Sequence, residues 1–238
     1  MINTNTDTLK LSEFLRNGLI WPLNLVRDLP KRAGRLAGAI GAVSKIRGAD
    51  VLVYWLHSTL WYSFDIVGGP EIIQILIRTL SDTRALSSEE ITTVKSVLGP
   101  KAIRFQDVRI ASGGLLIPVF KRNGNRAFAT WHTVNIPASK SSDRSLLVHE
   151  LTHVYQYERV GSPYIGQGLW AQHKHKKDAY HYGGAEGLLA GRAAGKRLCD
   201  YNREQQCQIA QDFSTLLLEE RDTEAFSPFI HDLRHGLL

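Results

Sequence analysis

The pattern His149-Glu150-x-x-His153 constrains this chain more than any other feature of its sequence. On an α-helix, positions four apart differ by only about 40° of rotation, so both imidazoles can face one point. Apolar neighbours such as Leu147 and Leu151 predict that this helix is largely buried. Two buried imidazoles beside a carboxylate are costly unless they share a partner such as a metal ion. The pattern therefore predicts a metal site on a buried helix.

Glu150 follows His149 directly, which places its carboxylate beside a bound ion rather than among the ligands. That position suits a general base that takes a proton from water activated by Zn²⁺, an ion that also polarises a scissile carbonyl. A purely structural zinc site has no need of such a carboxylate. The residues favour hydrolysis, and they leave open whether the bond is a peptide or another amide, such as a cell-wall cross-link.

A catalytic zinc ion usually has three protein ligands and one open position, so a third ligand is expected downstream. Glu204 lies in the first turns of a predicted helix that begins at a plausible N-cap, Asp200, and continues with Ile209 and Phe213 at helical spacing. The alternative interpretation of Glu204 is an exposed helical glutamate. The basic run 172–177 is typical of a solvated loop. The candidates for the third ligand are His173, His175, His181, Glu186 and Glu204.

Composition sets the protein class. The chain has 238 residues, of which 43% are hydrophobic and 22% charged, which excludes a disordered or collagen-like protein and is compatible with one large domain or two small ones. The net charge of +6 favours anionic surfaces but is too low for a dedicated nucleic-acid binder, so no nucleic-acid partner is expected.

The cysteines and the N-terminus bear on the compartment. Cys199 and Cys207 lie about 12 Å apart if they share a helix, too far for a disulfide. Residues 1–10 lack the basic start and apolar centre of a secretory signal. The expectation is a cytoplasmic protein or one exported by a signal-peptide-independent route.

Residues 1–84 predict a helical, basic amphipathic N-terminal region. Pro22 and Pro30 are expected to divide its first part into separate apolar clusters. The apolar stretch Val51–Gly69 predicts a buried helix rather than a membrane span, because it contains a central carboxylate, and Glu71–Leu80 predicts another helix. Four basic residues flank the apolar stripe and predict packing on the rest of the protein, or else contact with an anionic membrane or an acidic partner surface: Arg27, Lys31, Arg32 and Arg35.

Residues 85–238 predict a second, mixed unit. Ser87–Glu90 forms a capping box before a helix that ends near Leu98, at Gly99-Pro100. Period-two patterning then predicts strands at 108–110, 115–120 and 127–136. The fold class expected is α+β, mainly helical, with a small antiparallel sheet.

These motifs resemble a known group. His149-Glu150-x-x-His153 followed some fifty residues later by a helical Glu204 is similar to the gluzincin branch of zinc metallopeptidases. More narrowly, residues 84–213 resemble the bacterial Vgr-related, Rhs-associated metallopeptidase-like proteins, in which HELTHVxQ precedes YNxEQQAxIxxDY. This chain has Cys207 where that group usually has Ala, and Phe213 where it usually has Tyr; neither change removes a ligand.

The resemblance implies a zincin-like metallopeptidase domain over residues 85–238. It implies Zn²⁺ held by His149, His153 and Glu204, with Glu150 as general base. It also implies a protein or peptide substrate and a link to contractile secretion systems, as an effector or a processing protease. The alternative is a non-catalytic interaction protein of a secretion apparatus or membrane surface, with a structural or vestigial metal site. Further expectations are Asp212 as support for a ligand imidazole, and Tyr180, His181 or Tyr182 as the stabiliser of the oxyanion.

Overall fold

The structure is a computed structural model that describes residues 4–238, except for the side chains of residues 4–20, 175 and 177. Helices dominate it. In chain order the α-helices are α1 (Thr4–Gly41), α2 (Ala49–Ile66), α3 (Gly69–Leu80), α4 (Ser88–Leu98), α5 (Leu116–Arg122), α6 (Arg144–Val160), α7 (Pro163–His175), α8 (Gly184–Ala193), α9 (Arg203–Leu218) and α10 (Ser227–Arg234).

A small four-stranded sheet accompanies the helices. Its strands are β1 (Asp82–Arg84), β2 (Arg109–Ser112), β3 (Phe128–Thr130) and β4 (Thr133–Asn135), arranged in the order β1-β2-β4-β3. The expectation of a mainly helical α+β fold is confirmed. The expectation of an antiparallel sheet is wrong in one respect, because β2 and β4 pair in parallel, with Ile110 opposite Val134.

The parallel pair has a physical cause in the segment between β2 and β3. Residues 115–120, predicted to be a strand, form most of α5 instead, in which Leu116 and Phe120 are buried four positions apart. Parallel strands need a crossover connection, and α5 with β3 supplies one. The strand predicted over 127–136 is the hairpin of β3 and β4, with Trp131 at φ 55° in the turn.

One main core surrounds α6. Its buried side chains come from α4, α6, α9, α10 and the sheet, and Val148, Leu151 and Val154 of α6 are fully buried. The capping box at Ser87 and the end of α4 at Leu98 are confirmed. Since α6 carries both motif histidines, the core fixes the helix on which the candidate site is built.

The N-terminal helices differ from expectation in two ways. Helix α1 continues through Pro22 and Pro30, both exposed, so the prolines do not divide it. Each proline removes one helical hydrogen bond, while α1 packs against α2 and α3. Helix α2 was expected to be buried, yet Val53 is 63% and Leu60 71% exposed. None of the described helices is both long enough and apolar enough to cross a membrane.

The basic residues of α1 contact the rest of the protein. Arg35 donates to the carbonyls of Glu158 and Arg159, at 2.8 and 2.9 Å, and Lys31 also donates to the Glu158 carbonyl. These carbonyls end α6, where the helix dipole favours cations. Arg32 is buried, where it pairs with Glu71. Contact with an anionic membrane stays a prediction, and so does the boundary at residue 84, which coincides with the end of β1.

Candidate metal centre

Helix α6 presents the motif residues on a well-defined frame. It begins at Asp143, whose side chain accepts a hydrogen bond from the Leu146 N–H at 2.8 Å, and it ends at Gly161, at φ 82°. His149, Glu150 and His153 are 5%, 4% and 9% exposed. The two imidazole rings have centroids 5.2 Å apart, so one turn of helix brings them together.

Helix α9 brings Glu204 to the same point. Glu204 Oε2 lies 3.5 Å from Nε2 of His149 and 3.5 Å from Nε2 of His153. The helix begins at Asn202, which forms a capping box with Gln205, rather than at the predicted N-cap Asp200. This box fixes the first turn, which contains Glu204.

The residues present fit a zinc ion. Two imidazole nitrogens and one carboxylate oxygen converge, which is the ligand set of a catalytic zinc site with an open position. Two buried atoms beside them, His149 Nδ1 and Glu150 Oε2, have no hydrogen-bond partner among the described residues. Buried polar groups rarely lack a hydrogen-bond partner. A metal ion with a bound water molecule would supply such a partner for the Glu150 oxygen.

A buried glutamine pair orients His153. The Gln156 amide nitrogen donates to the Arg203 carbonyl and to Gln206 Oε1, both at 3.0 Å, so its oxygen faces His153 Nδ1 at 2.9 Å. His153 Nδ1 must then be the donor, which leaves the Nε2 lone pair for a metal. Gln206 in turn donates to the carbonyls of Leu198 and Tyr201.

Helix α7 holds the other oxygen of Glu204. Gln172 Nε2 donates to Glu204 Oε1 at 2.8 Å. A Cβ at Gly168 would lie only 2.9 Å from the same oxygen, so glycine allows α7 to approach closely. Glu204 is thereby positioned from two helices.

Cys207 is a further donor beside the site. It is buried, and its Sγ lies 3.3 Å from His153 Nδ1, the nitrogen opposite to the one that faces Glu204. His149, His153 and Cys207 have potential ligand atoms within 4.8 Å of one another. Since His153 Nδ1 faces Gln156 Oε1 and its Nε2 faces Glu204, the set with Glu204 is the better arranged. Both cysteines are free, as expected.

The ionisable groups are strongly coupled. Burial alone would raise the pKa of Glu204, but His153 and His149 hold it well below its usual range. Burial would lower the pKa of His153, yet contact with Cys207 and Glu204 raises it well above normal. Burial raises the pKa of Glu150. His153 and Glu204 thus form an ion pair, and a divalent cation at this point would take the place of the His153 proton.

The cluster opens into a cavity of about 510 Å³. Its apolar walls include Phe128 of the edge strand β3 and Leu169 of α7. Tyr180 lies on its wall, with its ring centroid 6.0 Å from that of His149. Arg126 donates to the Tyr180 hydroxyl oxygen, so the hydroxyl proton stays available to another acceptor. Burial and then Glu204 raise the pKa of Tyr180 to about 12, so the hydroxyl keeps that proton at neutral pH.

The other candidates lie elsewhere. His181 is exposed and does not line this cavity, although Gln205 donates to its carbonyl. Tyr182 donates to Asp212, which also accepts from Gln208, so neither partner of Asp212 is a ligand imidazole. His173 and Glu186 are exposed, and the side chain of His175 lies outside the described residues.

Sequence reasoning missed several residues that support the site. Gln156 and Gln206 carried a usable signal, since two glutamines at buried positions of amphipathic helices require internal partners.

The prediction of a solvated loop over 172–177 is wrong, because α7 continues to His175 and places Gln172 on a helix beside Glu204. Gln172 and Arg126 carried no usable signal, because their role depends on how α7 and the turn before β3 pack.

Comparison with known proteins adds one finding. Residues 91–161, under a third of the chain, match the family model of the eCIS core domain. The match associates this segment with extracellular contractile injection systems. It spans α4 to α6 and so includes His149, Glu150 and His153 but not Glu204. It does not identify a metallopeptidase. No curated protein and no solved structure matches the chain.

Proposed function

We propose that this protein is a zinc-dependent peptidase of a contractile injection system, acting as an exported effector or as a processing protease. The observation that carries the proposal is the convergence of His149 Nε2 and His153 Nε2 on one oxygen of Glu204, at 3.5 Å each, at the base of an open cavity. The ligand set matches that of hydrolytic zinc enzymes.

Zn²⁺ held by these three residues would polarise a substrate carbonyl and acidify a water molecule. Glu150 lines the cavity and has one buried oxygen without a hydrogen-bond partner among the described residues; it accepts the proton of the attacking water and returns it to the leaving amine. Tyr180, whose hydroxyl proton is free, donates a hydrogen bond to the developing oxyanion. Gln156 keeps His153 in the tautomer that can bind a metal.

The injection-system part of the proposal rests on the eCIS core domain match, which includes the motif helix. The partner it suggests is a component of the secretion apparatus. The substrate is a protein or peptide, since the cavity has apolar walls and lies beside the edge strand β3.

A non-catalytic role is the second candidate, because the matched family is defined by an apparatus and not by a reaction. In this reading the chain binds an apparatus component and its metal is structural or vestigial. Structural zinc sites are closed by four protein ligands, whereas this cluster opens to a cavity and keeps an unpaired carboxylate oxygen. These two features favour the catalytic reading.

Hydrolysis of a mixed peptide library by the full chain separates the two candidates. We expect cleavage with zinc, none after chelation, and recovery when zinc is restored. Glu150→Gln keeps the shape of the side chain but cannot take the proton, so cleavage should fall about 10²- to 10⁴-fold with zinc content unchanged.

Glu186→Gln is the matched control, because Glu186 is an exposed glutamate outside the cavity. It should cleave the library at the wild-type rate. Activity of Glu150→Gln within threefold of wild type would remove Glu150 as the base, and no cleavage by zinc-loaded wild type would favour the non-catalytic candidate.

A further inference from the structure

We propose that Arg126 is a specificity-determining residue that selects substrates carrying a carboxylate close to the scissile bond. The inference rests on the proposed function and deepens it by naming a substrate class. The carboxylate can come from an acidic side chain or from a free C-terminus, two sources with the same chemistry.

Arg126 supplies positive charge to the cavity wall. Among the described side chains that line the cavity it is the sole lysine or arginine, while Glu150 and Glu204 supply negative charge at the base. Away from the candidate metal cluster, the other described side chains that line the cavity are apolar or uncharged polar groups such as Thr130 and Gln172. The Arg126 guanidinium gives the rim of the cavity a positive charge that would stabilise an anionic substrate group.

The Arg126 guanidinium is held in position, and most of its N–H groups have no hydrogen-bond partner among the described residues. It lies over the Tyr180 ring, 5.4 Å from the centroid, and one Nη2 hydrogen bond goes to the Tyr180 hydroxyl. The structure gives its remaining N–H groups no partner among the described residues. A guanidinium carries five N–H donors in a fixed fork that matches a carboxylate.

The backbone beneath Arg126 is also fixed. Asn123 binds it from both sides: its Oδ1 accepts from the Arg126 N–H and its Nδ2 donates to the Arg126 carbonyl, both at 3.1 Å. Gly124 and Asn125 complete this turn at φ 73° and 56°. A rigid turn costs little entropy when the side chain binds, which is what a recognition residue needs.

The location matches a role next to the reaction centre. Arg126 lies over the Tyr180 ring, and Tyr180 packs beside the His149 ring, so a carboxylate on Arg126 lies within about three or four residues of a carbonyl above the cluster. In an extended peptide, adjacent residues are about 3.3 Å apart. The selected carboxylate is therefore expected near the cleaved bond rather than at a remote site.

The test uses the full-length, zinc-loaded chain and two pairs of peptide libraries. One pair differs only by Glu or Gln at a fixed central position, with blocked ends. The other pair differs only by a free or an amidated C-terminus. Wild type should prefer one carboxylate library, with kcat/KM roughly tenfold above its neutral twin, and the pair that shows the preference identifies the source.

Arg126→Gln should abolish this ratio, and Arg126→Glu should invert it, so that the neutral twin becomes the better substrate. Arg122→Gln is the matched control, since Arg122 is an exposed arginine four residues earlier that does not line the cavity. It should keep the wild-type ratio. If Arg126 only supported Tyr180, its loss would lower the rates on both members of each pair equally, and that outcome overturns the proposal.

Binding separates this proposal from the proposed function. The same peptides, labelled with fluorescein, are titrated into zinc-loaded Glu150→Gln with and without Arg126→Gln. A carboxylate preference in affinity that requires Arg126 supports the proposal even if wild type cleaves no peptide. Equal affinity for both members of both pairs overturns it, whatever the activity.

Discussion

At the scale of the residue, the orientation of one imidazole depends on an amide chain that does not touch the candidate metal position. Gln156 accepts from His153 Nδ1 and donates to Gln206 and to the Arg203 carbonyl. Such partners fix the tautomer and the ring angle of a ligand, and their loss typically weakens metal binding 10- to 100-fold.

Gln156→Leu is expected to weaken zinc affinity by about that factor, because His153 would lose the acceptor that fixes its ring. Competition with a zinc-binding dye measures it. Gln208→Leu is the control, since Gln208 contacts Asp212 and no candidate ligand. Unchanged zinc affinity in a folded Gln156→Leu variant would show that the amide chain serves stability alone.

Much of the candidate site can be predicted from the sequence because its spacing is helical. His149 and His153 lie one turn apart, so helix geometry alone brings them together. Glu204 needed the resemblance, since nothing in its local sequence places it against α6. Tyr180 could not be separated from His181, because adjacent residues of an irregular segment point in directions that only packing decides.

At the scale of the element, the site depends on three helices that meet at Glu204. Helix α9 supplies the carboxylate, α6 the imidazoles, and α7 packs closely enough to hold the second oxygen through Gln172. Gly168 is what permits that approach.

Gly168→Ala separates metal binding from stability. Alanine favours a helix over glycine by about 1 kcal/mol, so the free energy of unfolding should not fall much. The new Cβ meets Glu204 Oε1 at 2.9 Å, and the flexible end of the glutamate must move. We expect several-fold weaker zinc binding with a melting temperature close to wild type. Wild-type zinc affinity would show that Glu204 tolerates the shift or is not a ligand.

Two segments, residues 115–120 and helix α1, differ from the sequence-based expectation for the same reason. Ile117, Val119 and Phe120 are β-branched or aromatic, which favours a strand, but a helix buries Leu116 and Phe120 on one face. Pro22 and Pro30 disfavour a continuous α1, and the packing of α1 on α2 and α3 overrides them. In both segments tertiary contacts outweigh local propensity. Such contacts cannot be inferred from a single sequence.

At the scale of the whole molecule, the N-terminal helices attach to the rest of the protein at the end of α6 through buried polar groups. Asp65 of α2 accepts from the Ser162 backbone at 3.0 Å and from its hydroxyl. Arg32 of α1 pairs with Glu71 and donates to the Tyr157 hydroxyl at 3.2 Å. These contacts meet α6 at its C-terminal end, away from the motif histidines.

Arg32→Met should destabilise the protein by about 3–5 kcal/mol, because it leaves the buried Glu71 carboxylate without its cation. Urea unfolding at pH 7 measures the change. Arg27→Met is the control: Arg27 is 45% exposed in its ion pairs, so its loss should cost under about 1 kcal/mol. Equal effects of the two substitutions would show that the buried pair does not hold α1 in place.

The central claim is that α6 and α9 together hold one zinc ion, and X-ray absorption at the zinc edge tests it most directly. The account predicts about one Zn²⁺ per chain with only nitrogen and oxygen neighbours at about 2.0–2.2 Å. Zinc binding should be lost in His149→Ala, weaker in Glu204→Ala and unchanged in Cys207→Ala. No zinc after zinc-supplemented refolding, or a sulfur neighbour near 2.3 Å that disappears in Cys207→Ala, would contradict it.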